Sequence, residues 1–128
     1  MTSDSTIVFV VDDDPEVRCS LSRLLRSAGI TVEVFSSAEE FLSYAGPHAP
    51  ECVVLDVYMP GTTGPELMRE LVDSGRPIPA LFISGRSDAT VLASSETSSE
   101  FLRKPFGDDA LLAAIERLVH RAPSGVAS

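Results

Sequence analysis

Ile7-Val8-Phe9-Val10-Val11-Asp12-Asp13-Asp14-Pro15 runs five apolar residues directly into three carboxylates and a proline. A continuous apolar run of this length, rich in β-branched residues, suits a strand covered on both faces, and such strands belong to parallel sheets flanked by helices. The carboxylates then emerge where the strand reaches its loop. Like charges this close repel and raise one another's pKa unless a cation or a hydrogen-bond network offsets the repulsion. The placement therefore points to a cation site at a strand end.

The same arrangement recurs downstream. Cys52-Val53-Val54-Leu55 ends at Asp56, Ala80-Leu81-Phe82-Ile83 ends at Ser84, and the short run Phe101-Leu102-Arg103 is followed by Lys104. A further strand covers about Thr31 to Phe35. Segments of helical period separate these runs. In the first, Asp14 caps, Pro15 takes the first helical position, and Val17, Leu21, Leu24, Leu25 and Ala28 recur on one face until Gly29. Ser36 and Ser37, with Glu39 and Glu40 at capping-box spacing, open a second helix with Phe41 and Leu42 inward. A third starts at about Pro65 with Leu67, Leu71 and Val72 as its core stripe, and Gly75, Pro77 and Pro79 close it. The last starts at about Asp108, with Leu111, Leu112, Ile115, Leu118 and Val119 in register. Alternating strands and helices predict an α/β domain: a five-stranded parallel sheet in the order 2-1-3-4-5, with helices on both faces. Ligands of such sheets bind at the carboxyl ends of the strands, where the order reverses between strands one and three. Those ends carry Asp12, Asp13 and Asp56.

A chain of 128 residues fits one domain, expected over 1–121, with 122–128 as a flexible tail or the start of a linker. Cys19 and Cys52 read as buried small hydrophobes and not as a bridge or metal pair, which suits a reducing cytoplasm. No apolar stretch reaches the roughly 20 residues of a membrane span, and Met1 to Ser5 lack the character of a signal peptide. A net charge of −9 argues against direct binding of a phosphate backbone. Of the ten basic residues, Lys104 is the only lysine.

Taken together, Val10-Val11-Asp12-Asp13, Leu55-Asp56-Val57-Tyr58-Met59-Pro60-Gly61, Ser84-Gly85 and Lys104-Pro105-Phe106 resemble the receiver domain of two-component response regulators along nearly the whole chain. The flavour is closest to receivers that precede a helix-turn-helix output domain. The resemblance implies a flavodoxin-like receiver fold and a signalling phosphoacceptor, not an enzyme that turns over an external substrate. Asp56 would take a phosphoryl group from a histidine kinase or histidine phosphotransfer protein, assisted by Ser84 and Lys104. Magnesium would be held by Asp13, Asp56 and the Tyr58 backbone carbonyl, with Asp12 holding a water on the ion. Octahedral oxygen ligation by one or two carboxylates is what this ion prefers. Ser84 and Phe101 would form the switch, and Pro105 would follow a cis peptide bond that aims Lys104 inward. A homodimer on phosphorylation is compatible with the family, and no membrane contact is implied. Tyr58 and Arg86 would flank the path of the hydrolytic water and lengthen the life of the phosphoform.

The segment Arg86 to Glu100 departs from the family pattern. Its serines and threonines compete for backbone hydrogen bonds, so a helix there should be short, frayed or shifted. Two other readings compete with the receiver. A hydrolase of the haloacid dehalogenase type would use Asp12-x-Asp14, Ser84, Lys104 and Asp108-Asp109, but this length leaves no room for a cap domain. An interaction module independent of phosphate would rest only on the unusual 86–100 segment.

Overall fold

The computed structural model describes residues 6–44, 46, 49–59, 61–75, 78–84, 99–104 and 106–121. Strands β1 (Ile7–Val11), β2 (Thr31–Phe35), β3 (Cys52–Asp56), β4 (Ala80–Ser84) and β5 (Ser99–Arg103) pair in parallel in the order β2-β1-β3-β4-β5. This is the predicted sheet. Residues of a strand point alternately to its two faces. Phe9, Val11, Val53, Leu55, Ala80 and Phe82 therefore meet Phe41 of α2 (Ala38–Leu42) and Leu67, Met68 and Leu71 of α3 (Gly64–Asp73). On the other face Val8, Val10, Cys52, Val54, Leu81 and Ile83 meet Leu21 and Leu25 of α1 (Pro15–Ser27). Leu111, Ala114, Ile115 and Leu118 of the C-terminal helix (Asp108–Arg121) complete that layer. The rings of Phe9, Phe35, Phe41 and Tyr44 gather in the first layer, with centroids 5.1 to 5.8 Å apart.

Register brings the polar strand ends to one edge. Val11 lies opposite both Phe35 and Leu55, Asp56 opposite Ile83, and Ser84 opposite Arg103. The ladder continues one step beyond the strands through Asp12 N–H to the Phe35 carbonyl, Val57 N–H to Ile83, and Lys104 N–H to Ser84. Asp12, Asp56, Ser84 and Lys104 thus hang from neighbouring, hydrogen-bonded positions.

The helix starts follow their capping residues. Asp14 has extended backbone, and its carboxylate accepts the Glu16 N–H at 2.9 Å, as expected of a cap. Ser37 caps α2 through the Glu40 N–H. Glu40 completes no reciprocal box with it, because its carboxylate accepts from the Ser36 N–H and hydroxyl. A full capping box stands instead at α3: Thr63 Oγ1 accepts the Glu66 N–H at 3.3 Å, and Glu66 accepts the Thr63 N–H at 2.9 Å. Thr63→Ala is expected to lower stability by about 1 kcal/mol and Thr63→Ser by much less. Urea denaturation checks this, and equal midpoints for all three proteins would remove the box as a stabilising element.

Several expectations need correction. Cys19 is exposed, because it lies on the solvent side of α1. Cys52 is buried as expected, and burial pushes its thiol up to about 12. Ala28 is exposed at the C-cap of α1, so the inward stripe stops at Leu25. The helix α3 starts at Gly64, and Met68 is buried while Val72 is only half-buried. Strand β5 begins at Ser99, two residues before Phe101, so the end of the 86–100 segment is strand. The rest of that segment, the Pro105 peptide bond, Gly85, Arg86 and the 122–128 tail lie outside the described residues. None of the helices described is long and apolar enough to cross a membrane.

Candidate functional site

Asp12 follows the last residue of β1 and is fully buried. Its Oδ1 accepts the Asp14 N–H at 2.9 Å, whereas Oδ2 has no hydrogen-bond partner among the described residues. Lys104 Nζ lies 3.8 Å from that Oδ2. Asp56 ends β3, is 8% exposed, and accepts the Tyr58 N–H at 3.2 Å on Oδ1. Asp13 is exposed at the rim. One carboxylate oxygen from each of Asp12, Asp13 and Asp56 falls within 4.8 Å of the others.

Burial is the main reason that Asp56 is pushed up to about 6, with the Asp12 charge adding to it and Lys104 and the Tyr58 N–H opposing it. Burial also raises Asp12, against the Asp14 N–H and Lys104. Lys104, partly in solvent, does not offset the burial of these two carboxylates, and both stay raised with its charge beside them. The donor set is hard oxygen, and one of the buried oxygens of its members, Asp12 Oδ2, has no hydrogen-bond partner among the described residues. These residues fit a small divalent cation such as Mg²⁺, which is held by carboxylates and retains waters.

Ser84 is 1% exposed at the end of β4, which pairs with β3. Phe101 is half-buried and packs against the first hydrophobic layer, opposite Phe82 in register. Tyr58 is 41% exposed. Asp14 serves as the α1 cap and stands outside the carboxylate cluster, and Asp108 and Asp109 are exposed in the first turn of the C-terminal helix. The hydrolase constellation is therefore not assembled around Asp12 and Asp14.

Two residues at the site escaped the sequence reading. Arg18 Nη1 donates to the Asp12 carbonyl at 2.6 Å. Gly64 lies so close to Asp56 that a Cβ there would sit 2.6 Å from the Asp56 carbonyl oxygen. The signal for Gly64 was present, since Thr63-Gly64-Pro65-Glu66 has the spacing of a capped helix start with a glycine at its first position. For Arg18 no local signal exists, because its partner lies six residues back on the strand end.

The family model described as the response regulator receiver domain matches residues 8–116. Response regulator protein TmoT of Ectopseudomonas mendocina is 40% identical over 125 residues, covering 96% of this chain and 57% of the relative. Transcriptional regulatory protein FixJ of Bradyrhizobium diazoefficiens is 40% identical over 117 residues, covering 90% and 57%. The chain thus spans little more than half the length of these relatives. Among solved structures, response regulator StyR superposes with a TM-score of 0.82 at 40% identity, covering 95% of this chain and 62% of that one. The crystal structure of FixJ-N gives a TM-score of 0.81 at 35% identity, covering 93% and 96%. Aspartates and a lysine converging at adjacent ends of a 2-1-3-4-5 sheet agree with a match across most of the chain, which belongs to the receiver domain family of two-component response regulators.

Proposed function

We propose that this receiver is a phosphorelay acceptor in which Asp56 is the residue modified. The observation that supports this most strongly is a nearly buried carboxylate at the end of β3, grouped with Asp12 and Asp13 and neighboured by the chain's only lysine. An Asp56 carboxylate oxygen attacks the phosphorus of a phosphohistidine on a histidine kinase or phosphotransfer protein. The new O–P bond forms as the P–N bond breaks, and the electron pair leaves with the imidazole nitrogen, which takes up a proton from water. The residues that would hold Mg²⁺ are Asp13 and Asp56 directly, with the Tyr58 carbonyl as a neutral ligand and Asp12 acting through a water on the ion. When bound, the ion supplies the positive charge that lets anionic phosphoryl oxygens approach anionic carboxylates.

Lys104 places a compact cation beside the same group, and Ser84 donates its hydroxyl to a phosphoryl oxygen. As Ser84 is drawn to the phosphate, Phe101 moves further inward. This shifts the balance between two packings of the face that includes β5 and the C-terminal helix. That face controls an output or a phosphorylation-dependent homodimer. The receiver unit is 1–121, with 122–128 as its tail or the start of a linker, and DNA is not contacted directly by this domain. The protein works in the cytoplasm, either as part of a transcription regulator or as a stand-alone receiver.

Intact mass after incubation with acetyl phosphate tests the reading. One phosphoryl increment that requires Mg²⁺ and is lost in Asp56→Asn is expected, and an increment surviving in Asp56→Asn would overturn the assignment. Followed over time, the same assay reads the lifetime. Tyr58, exposed two residues past Asp56, is expected to slow decay relative to Tyr58→Ala.

A further inference from the structure

We propose that Arg18 is a positioning residue, whose guanidinium fastens the loop bearing Asp12 and Asp13 in the orientation a divalent cation requires. The proposal rests on the reading of Asp12, Asp13 and Asp56 as the cation site. Asp12 is the one member of that group fully removed from solvent, so its orientation depends on the bonds it makes. Its backbone N–H is taken by the Phe35 carbonyl of β2 at 3.1 Å, and its Oδ1 by the Asp14 N–H at 2.9 Å. Its carbonyl is taken by Arg18 Nη1 at 2.6 Å. With these three contacts made, Oδ2 is the Asp12 side-chain oxygen left for a ligand. Of the three partners, only Arg18 is a side chain, and so only Arg18 can be removed by substitution without altering the backbone.

Location adds to the argument. Arg18 is half-buried near the start of α1, whose N-terminus is set by the Asp14 cap and by the Arg18 N–H bonded to the Asp14 carbonyl. The guanidinium therefore ties a rigid helix turn back to the strand end and spans the acidic loop between them. Its charge also reaches Glu40, whose carboxylate is held low chiefly by the Ser36 N–H and hydroxyl and to a lesser degree by Arg18. The one side chain thus bears on both the β1–α1 and the β2–α2 junctions.

The direction of the effect separates positioning from simple electrostatics. A guanidinium near a cation site repels the cation, so by charge alone Arg18→Met should tighten Mg²⁺ binding. If Arg18 positions the ligands, the same substitution should weaken binding. Loss of a group that supports a metal ligand commonly costs 10- to 100-fold in affinity, and about tenfold is expected here. Arg18→Lys keeps the charge but loses the fixed fork, and should also bind more weakly than wild type.

The experiment is calorimetric titration of Mg²⁺ into metal-stripped wild type, Arg18→Met and Arg18→Lys, with urea denaturation of each in the absence of metal. About tenfold weaker binding in Arg18→Met, with a smaller loss in Arg18→Lys and little change in urea midpoint, supports the role. Wild-type or tighter binding in Arg18→Met overturns it while leaving the cation site intact. If Arg18→Met does not fold, the Lys variant decides, and unchanged affinity there overturns the role equally. A wild type that binds no Mg²⁺ removes the site itself and the role with it.

Discussion

In buffer stripped of divalent cations at about pH 7.5, Asp56→Asn is expected to be more stable than wild type by about 3 kcal/mol. The reason is that Asp56 is ionised there at a cost. Burial and the neighbouring Asp12 push its carboxyl up to about 6 from the ordinary 3.8. At a pH below the unfolded value both states are protonated, and the group contributes nothing. Between the two values the unfolded chain loses its proton first, so stability falls as pH rises. Above about 6 both states are ionised and the full penalty is in place. Wild type without metal should therefore lose stability between about pH 4 and pH 7 relative to Asp56→Asn. The difference between the two proteins isolates this carboxyl from the general self-repulsion of a chain with net charge −9. A cation that binds only the folded state nearly closes the gap at about 100 times its dissociation constant, adding about 2.7 kcal/mol to wild type, and reverses the order at about 1,000 times, adding about 4.1 kcal/mol. Urea denaturation across this pH range, with and without Mg²⁺, checks both limbs. A variant no more stable than wild type without metal would show that the buried charge is already compensated.

The sheet was legible because its strands are long enough and apolar enough to have no other home. Val8 to Val11 and Cys52 to Leu55 are buried throughout, and their helical neighbours begin at recognisable caps. The grouping of Asp12, Asp13 and Asp56 was legible for the same reason, since parallel strands in this order deliver their carboxyl ends to one edge. What escaped was set by tertiary context. Ser99 and Glu100 are weak strand formers, yet each pairs with β4, at Ala80 and Leu81, so the ladder overrides composition. Cys19 is compatible with either side of a helix, and only the packing of Leu21 and Leu25 decides which side meets the sheet. Arg18 and Gly64 matter through contacts with backbone carbonyls, and a carbonyl carries no residue-specific mark in a sequence.

Gly64→Ala is expected to slow phosphorylation by up to about 100-fold, because a misplacement near 1 Å at a reacting group can cost that much. Helix propensity alone predicts the opposite sign for stability, since alanine is favoured over glycine by about 1 kcal/mol in a helix. Gly64 has no positive φ, so its backbone does not demand glycine either. The obstacle is contact: the new Cβ would stand 2.6 Å from the Asp56 carbonyl oxygen and 3.4 Å from the Val57 Cα. Both are backbone atoms within the ladder, where Val57 N–H is bonded to Ile83 and the Val57 carbonyl to Gly64 N–H. Neither can turn aside as a side-chain end would. Ordinary contact begins at 3.4 Å, so α3 or the acceptor residue must move by 3.4 − 2.6 = 0.8 Å. The crowding should cost about 1–3 kcal/mol, outweighing the propensity gain at the upper end. Gly29→Ala is the matched control. Its φ of +84° strains the backbone, but nothing among the described residues lies within 4 Å of the added carbon, and it follows the C-cap of α1, at the opposite end of that helix from the Asp14 cap. That variant should lose about 1 kcal/mol and phosphorylate at the wild-type rate. Rates from intact mass with acetyl phosphate, set beside urea midpoints, separate the two. Equal rates for both variants would mean that the acceptor tolerates displacement of its own strand end. A slow Gly64→Ala beside a normal Gly29→Ala would mean that the close approach of α3 is what holds Asp56 in line.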